Sequence, residues 1–144
     1  DWKITAIDNS QACIDLALLN QKQLDITNIE LFKSDWYDAI PAQKFSIIVA
    51  NPPYIDSNDP HLEMGDVRFE PKSSLVADDK GLSDLLTIIK GAQKYLRPAG
   101  RIFLEHGYDQ ATAVMQLLGE NSFQQIQSHQ DLNKNDRVCS AIWA

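Results

Sequence analysis

The sequence predicts an α/β fold in which a mostly parallel sheet ends in an antiparallel pair of strands. Short apolar runs rich in β-branched residues alternate with segments whose apolar residues recur at helical spacing. Proline, glycine or polar clusters separate these segments. The last two apolar runs follow each other across a short polar turn, which is typical of adjacent antiparallel strands.

Each predicted element follows from its local pattern. Strands are predicted over residues 3–8, 28–33, 45–50, 101–105, 123–128 and 137–143. A first helix is capped by Asn9 or Ser10 and runs to about Gln23, with Cys13, Leu16, Ala17, Asn20 and Leu24 on or near one face. Two further helices are predicted over about 82–96 and 108–119. Residues 56–81 form a long connection, and loops of that length are usually functional.

Composition narrows the class of protein. With 144 residues, of which 44% are apolar and 23% charged, the chain can form one globular domain. The net charge of −7 argues against a nucleic acid as the main partner. No apolar run approaches the length of a membrane span. Two distant cysteines, Cys13 and Cys139, indicate reduced core thiols in a cytoplasmic protein, and no metal-ligand spacing is visible.

The tetrapeptide Asn51-Pro52-Pro53-Tyr54 is the strongest functional signal. It follows the run 45–50, which we expect to be a strand buried on both faces. Two prolines end that strand, so the motif lies at the carboxyl edge of the sheet, where ligands bind in open α/β folds. The Asn51 side-chain oxygen and the Pro52 carbonyl can each accept one N–H of an NH2 group, and Tyr54 can cover its planar face. The pattern favours catalysis by orienting a weakly nucleophilic nitrogen.

The motif and its surroundings resemble a known family. Residues 51–55, 59–62 and 65–71 are similar to the HemK/PrmC family of protein-(glutamine-N5) methyltransferases, and the resemblance extends from about Ile4 to Trp143. It implies a Rossmann-like fold, S-adenosylmethionine (SAM) as cofactor, and methylation of the glutamine in the Gly-Gly-Gln motif of peptide chain release factors. It also implies that Asn51, Pro52 and Tyr54 are catalytic and that the whole tetrapeptide, Pro53 included, binds the substrate.

Residues before the motif are candidates for holding the cofactor. Asp8 ends a strand and precedes a helix, a position at which an acid accepts hydrogen bonds from ribose hydroxyls; the alternative is a role in starting the helix. The resemblance implies that Trp36 lies against adenine, that Asp35 accepts from the adenine amino group, and that Asn51 also contacts the cofactor. Trp36 could instead be a residue at the edge of the core.

The sequence departs from the family at its start. No glycine precedes Gly65, so the glycine-rich SAM loop, the first strand and the family's helical N-terminal domain are not among these residues. We therefore expect residues 1–144 to form a partial methyltransferase domain. In the family, the missing strand lies between those predicted at 3–8 and 45–50. We expect a gap or another pairing there, and an isolated chain that binds SAM weakly and is inactive.

Several alternatives remain open at this point. The substrate could be a glutamine of a ribosomal protein, although the segment 66–71 favours release factors. Methylation of adenine N6 in DNA or RNA is disfavoured by the acidic charge. A non-enzymatic binding domain is a further class. Arg68 and Glu70 either shape the substrate entrance or form a surface pair, and His106 is not expected to be a base because a methylated amide loses its proton readily.

Overall fold

The computed structural model describes residues 2–54 and 81–144, which fall into two compact units, Asp1–Gln43 and Lys44–Ala144. Each unit is described by itself. Residue 55 and the segments 59–62 and 65–71 of the family resemblance, which include Arg68 and Glu70, lie outside the described residues.

The first unit is a β-α-β segment. It consists of strand β1 (Ile4–Asp8), helix α1 (Gln11–Gln23) and strand β2 (Ile29–Lys33), and the two strands pair in parallel. Ser10 caps α1, because its Oγ accepts a hydrogen bond from the Cys13 backbone N–H at 3.4 Å. The predicted bounds and one of the two candidate caps are therefore confirmed.

The face that the sequence predicted for α1 is not its buried face. Ile14 is the buried residue of this helix, whereas Leu16 is 58% exposed, Leu24 is 69% exposed and Cys13 is exposed. A helix that packs on a two-stranded sheet buries only a narrow stripe. Leucine spacing alone did not identify which stripe that is.

The second unit contains the larger sheet. Its elements are β3 (Phe45–Ala50), α2 (Ser83–Tyr95), β4 (Leu96–Glu105), α3 (Ala111–Glu120), β5 (Phe123–Gln130) and β6 (Asp136–Trp143). The strand order is β3-β4-β6-β5, with β3 and β4 parallel and β6 antiparallel to both β4 and β5. The predicted terminal antiparallel pair is confirmed. Within residues 2–54 and 81–144, β1 pairs with β2 and β3 pairs with β4, so β1 and β3 belong to different sheets.

The core of the second unit lies between its sheet and its two helices. Leu85, Ile88 and Ile89 on α2 are buried, as are Val114 and Leu118 on α3. Opposite them, β4 contributes Ile102 and Leu104, and β6 contributes Cys139 and Ala141. Helical spacing in the sequence identifies Leu85, Ile89, Val114 and Leu118 as members of this core, but it does not include Ile88. None of the described helices is long and apolar enough to cross a membrane.

Strand β3 is more exposed than the sequence predicted. It lies at the edge of its sheet, where Val49 is 74% exposed and Ile47 is 38% exposed. The expectation of a strand buried on both faces is therefore wrong for the structure described. The apolar run identified the strand correctly, but burial depends on the neighbouring layers, and β4 is its only partner strand among the described residues.

Strand β4 contains the turn predicted around Pro98. Leu96 pairs with Phe45 and Arg101 pairs with Ile47, so residues 97–100 bulge out of the ladder, with Ala99 at a positive φ of 59°. The strand thus begins at Leu96 rather than at Arg101. Helix α3 begins at Ala111 rather than at Tyr108, because Gly107 to Gln110 form a turn closed by the Gln110 N–H and the Gly107 carbonyl.

The two cysteines are free but differ in environment, which corrects the expectation of two core thiols. Cys139 is fully buried, and desolvation together with the negative charge of Asp136 raises the pKa of its thiol to about 11.

We expect Cys13 to react rapidly with a thiol reagent at about pH 8 and Cys139 to react only after unfolding. The absorbance of the thiolate that the reagent releases measures the fast reaction and the slow reaction. Cys13→Ser should abolish the fast phase, and a fast phase that survives in this variant would contradict the prediction.

Candidate active site

The tetrapeptide Asn51–Tyr54 continues directly from the carboxyl end of β3. Ala50, the last residue of β3, pairs with Leu104, so the motif begins where the strand pairing stops. Asn51 is exposed, Pro52 is buried, and Pro53 and Tyr54 are partly buried. The prolines therefore fix the backbone against the protein, while the Asn51 carboxamide remains accessible to a ligand.

Tyr54 is held at both its side chain and its backbone. Its hydroxyl donates to Glu105 Oε1 at 3.1 Å, and its carbonyl accepts from Gln110 Nε2 at 2.9 Å. Glu105 is the last residue of β4, the parallel neighbour of β3. The ends of two adjacent parallel strands thus meet at the motif, and the orientation of the Tyr54 ring is set by groups from outside it.

The Tyr54 hydroxyl lies in an environment that favours its protonated form. Partial burial raises its pKa above the ordinary value, and so do the negative charge of Glu105 and the hydrogen bond to it. The positive charge of Arg137 and its hydrogen bond lower the pKa of Tyr54, but each by less than the effects that raise it. Tyr54 therefore stays neutral and donates to Glu105 at physiological pH, which makes it an orienting group rather than a base.

Gly81, the first residue of the second part of the described chain, packs against the Tyr54 backbone. It has a positive φ of 79°, and a Cβ at this position would clash with the Tyr54 carbonyl oxygen and with Gln110 Nε2. Glycine is required here both for the backbone conformation and for the close approach. The end of the motif is thus enclosed by Gly81 on one side and Gln110 on the other.

His106 is a buried structural residue. Its Nδ1 lies 2.8 Å from the Gly107 carbonyl oxygen, and its Nε2 lies 3.3 Å from Cys139 Sγ. A carbonyl can only accept, so Nδ1 carries a proton, while Nε2 is in contact with the Cys139 thiol, which also lies 3.8 Å from the Ala111 carbonyl oxygen. Because both ring nitrogens are engaged inside the protein, the imidazole is not available to a substrate. This agrees with the expectation that His106 is not a base.

In the first unit, Asp8 starts the turn into α1. Its Oδ1 accepts from the Ser10 backbone N–H at 2.7 Å, and its side chain is partly exposed. This bond supports the alternative in which Asp8 helps to start the helix. Across residues 2–54 and 81–144, Oδ2 has no hydrogen-bond partner, so one carboxylate oxygen can still accept from a ligand.

Trp36 is held by a turn built on Ser34. Ser34 is 5% exposed; its Oγ donates to the Trp36 carbonyl at 2.8 Å and accepts from the Ala39 N–H at 3.0 Å. Trp36 has a positive φ of 44° and is partly exposed, whereas Asp35 is exposed and its carbonyl accepts from the Asp38 N–H. Positive φ is uncommon for an aromatic residue, and Ser34 stabilises it here.

Sequence reasoning did not identify Ser34 or Gln110 as functional residues, and it predicted Glu105 only as the last residue of a strand. A serine at the end of a strand is a weak signal of a turn-stabilising hydroxyl. A glutamine at the start of a helix carries no recognised signal for contact with a loop 56 residues earlier. Only the three-dimensional structure shows that its amide reaches Tyr54.

Comparison with known sequences shows similarity to methyltransferases. The family Methyltransferase small domain matches residues 1–70. The chain is 44% identical over 143 residues to a release factor glutamine methyltransferase from Pseudomonas aeruginosa, covering 99% of this chain and 52% of the relative. It is 42% identical over 138 residues to the protein of that name from Escherichia coli, covering 96% and 50%. The chain thus spans about half the length of the curated relatives it matches.

Comparison with solved structures shows the same fold. A methyltransferase from Pyrococcus furiosus superposes with a TM-score of 0.73 at 12% identity, covering 97% of this chain and 62% of that one. A ribosomal protein L11 methylase from Lactobacillus delbrueckii gives 0.66 at 22% identity, covering 98% and 57%. A Streptococcus mutans protein solved in complex with SAH gives 0.59 at 18% identity, covering 97% and 75%. The chain thus has the Rossmann-like α/β fold of these solved methyltransferases, and over nearly its whole length its sequence is similar to release factor glutamine methyltransferases.

Proposed function

We propose that the full-length protein transfers a methyl group from SAM to the side-chain amide nitrogen of a glutamine, and that this glutamine lies in the Gly-Gly-Gln motif of peptide chain release factors. The names of the curated relatives support this substrate, and their similarity covers nearly the whole of this chain. The observation that carries the proposal is the exposed Asn51 side chain next to the buried Pro52 at the end of β3.

The proposed mechanism rests on orienting a poor nucleophile. The Asn51 side-chain oxygen accepts one N–H of the substrate amide and the Pro52 carbonyl accepts the other, so that the nitrogen lone pair is directed at the methyl group. The Tyr54 ring covers the planar face of the amide, in the orientation set by its bond to Glu105. Alignment of this kind can contribute roughly 7–11 kcal/mol to catalysis in well-oriented systems. After methylation the nitrogen releases a proton to water, and no protein base is needed.

The proposed cofactor contacts in the first unit fit the groups that the structure offers. Asp8 Oδ2 is available to accept from a ribose hydroxyl, and the partly exposed Trp36 ring gives adenine an apolar face. Asp35 is exposed and can accept from the adenine amino group. We propose these roles for Asp8, Asp35 and Trp36, together with a contact of Asn51 to the cofactor. When bound, SAM supplies a methyl group on a positively charged sulfur.

The proposed substrate is tested by incubating the full-length protein with labelled SAM and either purified release factors or total ribosomal protein. We expect mass spectrometry to find one methyl group on the glutamine of the Gly-Gly-Gln motif. A release factor in which that glutamine is replaced by alanine is the matched control. Label on a ribosomal protein alone would instead support the sister activity, and label on the adenine of added DNA or RNA would support a nucleic-acid substrate.

We also propose a cytoplasmic location, because release factors are the substrates of the named relatives and Cys13 and Cys139 are free thiols. The net charge of −7 continues to disfavour a nucleic acid as the main partner.

A further inference from the structure

The Gln110 side chain bridges two backbone groups that are far apart in sequence. Its Nε2 donates to the Tyr54 carbonyl at 2.9 Å, and its Oε1 accepts from the Gly107 N–H at 2.8 Å. One planar amide therefore joins the last residue of the motif to the segment that follows β4. Because a glutamine amide carries a donor on one atom and an acceptor on the other, both ends of this bridge require this type of side chain.

The bridge does not cap helix α3, which begins at the next residue, Ala111. Gln110 precedes α3, and its side chain makes no capping hydrogen bond to that helix. The backbone holds the helix start instead, because the Gln110 N–H donates to the Gly107 carbonyl and its own carbonyl accepts from the Val114 N–H. A substitution of the Gln110 side chain therefore leaves these backbone bonds in place.

The two anchors of Tyr54 act on different parts of the residue. Glu105 binds the hydroxyl, at the far end of the ring, while Gln110 binds the backbone carbonyl. Gly81 fills the remaining side of the carbonyl, where a Cβ would clash with it and with Gln110 Nε2. A residue fixed at both its backbone and its hydroxyl cannot rotate or shift without breaking a hydrogen bond.

We propose that Gln110 is a positioning residue that fixes the backbone of the Asn51–Tyr54 motif, so that Asn51 and Pro52 present their oxygens to the substrate amide in a constant geometry. This inference rests on the proposed function and extends it, because Gln110 touches neither the substrate nor the cofactor in that proposal. It acts through the Tyr54 carbonyl, three residues after Asn51. The rigid Pro52-Pro53 pair between them transmits the constraint.

The test replaces Gln110 by leucine, which is similar in size and uncharged but has neither donor nor acceptor. In the full-length protein we expect kcat for methyl transfer to fall about 10- to 100-fold while the Kd for SAM stays unchanged. Gln116→Leu is the matched control: Gln116 lies on the exposed side of α3 and bonds only to Glu120 in the structure described, so this variant should keep the kcat of the parent.

A second variant separates the two halves of the bridge. Gln110→Glu keeps an oxygen for the Gly107 N–H but cannot donate to the Tyr54 carbonyl. It should lose activity as Gln110→Leu does. A negative charge at the start of α3 is favourable to the helix. We therefore expect the loss of activity to occur without a corresponding fall in the thermal midpoint of unfolding. Wild-type kcat in both variants would overturn the proposal.

A pH titration of Tyr54 tests the positioning role of Gln110 without measuring methyl transfer. It therefore separates a failure of this proposal from a failure of the proposed function. Tyrosine absorbance is followed against pH, and subtraction of the Tyr54→Phe curve isolates Tyr54. Release of Tyr54 in Gln110→Leu should weaken its contacts with Glu105 and Arg137 and move its pKa from a raised value towards 10.0. If the parent protein methylates no glutamine, the proposed function fails, and this titration still decides whether Gln110 holds the motif. An unchanged Tyr54 curve would refute the positioning role.

Discussion

Replacement of Asn51 by alanine in the full-length protein is expected to lower kcat for methyl transfer by at least about 100-fold, while the Kd for SAM changes much less. The substrate amide loses one of the two acceptors proposed to orient it, so its nitrogen no longer points consistently at the methyl group. Asn51 is exposed, so its truncation opens no cavity, and we expect the free energy of unfolding to change by less than about 0.5 kcal/mol.

Steady-state kinetics with labelled SAM and equilibrium binding of SAM give the two quantities separately. Asn133→Ala is the matched control, because Asn133 is an exposed asparagine in the turn between β5 and β6, remote in sequence from the motif. Parallel loss of turnover and SAM affinity in Asn51→Ala would mean that Asn51 mainly holds the cofactor. Unchanged turnover would remove the basis of the orienting mechanism.

The parts of the fold that were predictable are those whose pattern is local. Helix α2 shows Leu85 and Ile89 one turn apart, and α3 shows Val114 and Leu118 in the same relation; all four are buried. The β3 strand and its abrupt end at Asn51 follow from a β-branched run stopped by two prolines. In each case neighbours along the chain determine the structure.

The parts that were not predictable depend on what lies across space. Val49 has the apolar side chain of a core strand, yet it is 74% exposed because β3 is an edge strand of its sheet. Leu16 and Leu24 look like core residues of α1, but Ile14 is the one that is buried. Gln110 reaches Tyr54 across 56 residues, a contact that no local pattern encodes.

Replacement of Trp36 by alanine is expected to raise the Kd for SAM about 5- to 150-fold, since stacking of a base on an aromatic ring contributes about 1–3 kcal/mol. The effect on kcat at saturating SAM should be small, because the proposed role of Trp36 is to bind adenine and not to orient the substrate amide. Isothermal titration of the full-length protein with SAM measures the change. Trp2→Ala is the matched control, because Trp2 is 66% exposed and belongs to the same unit.

Ser34→Ala tests whether the turn that holds Trp36 contributes to SAM binding. The substitution keeps the indole but removes the hydroxyl that donates to the Trp36 carbonyl and accepts from the Ala39 N–H. Because Trp36 has a positive φ of 44°, loss of this support lets its backbone relax and the ring change position. SAM affinity should therefore fall, but by less than in Trp36→Ala. Unchanged affinity in both variants would show that Trp36 is a residue at the edge of the core, whereas a loss confined to Trp36→Ala would show that the ring binds adenine without help from Ser34.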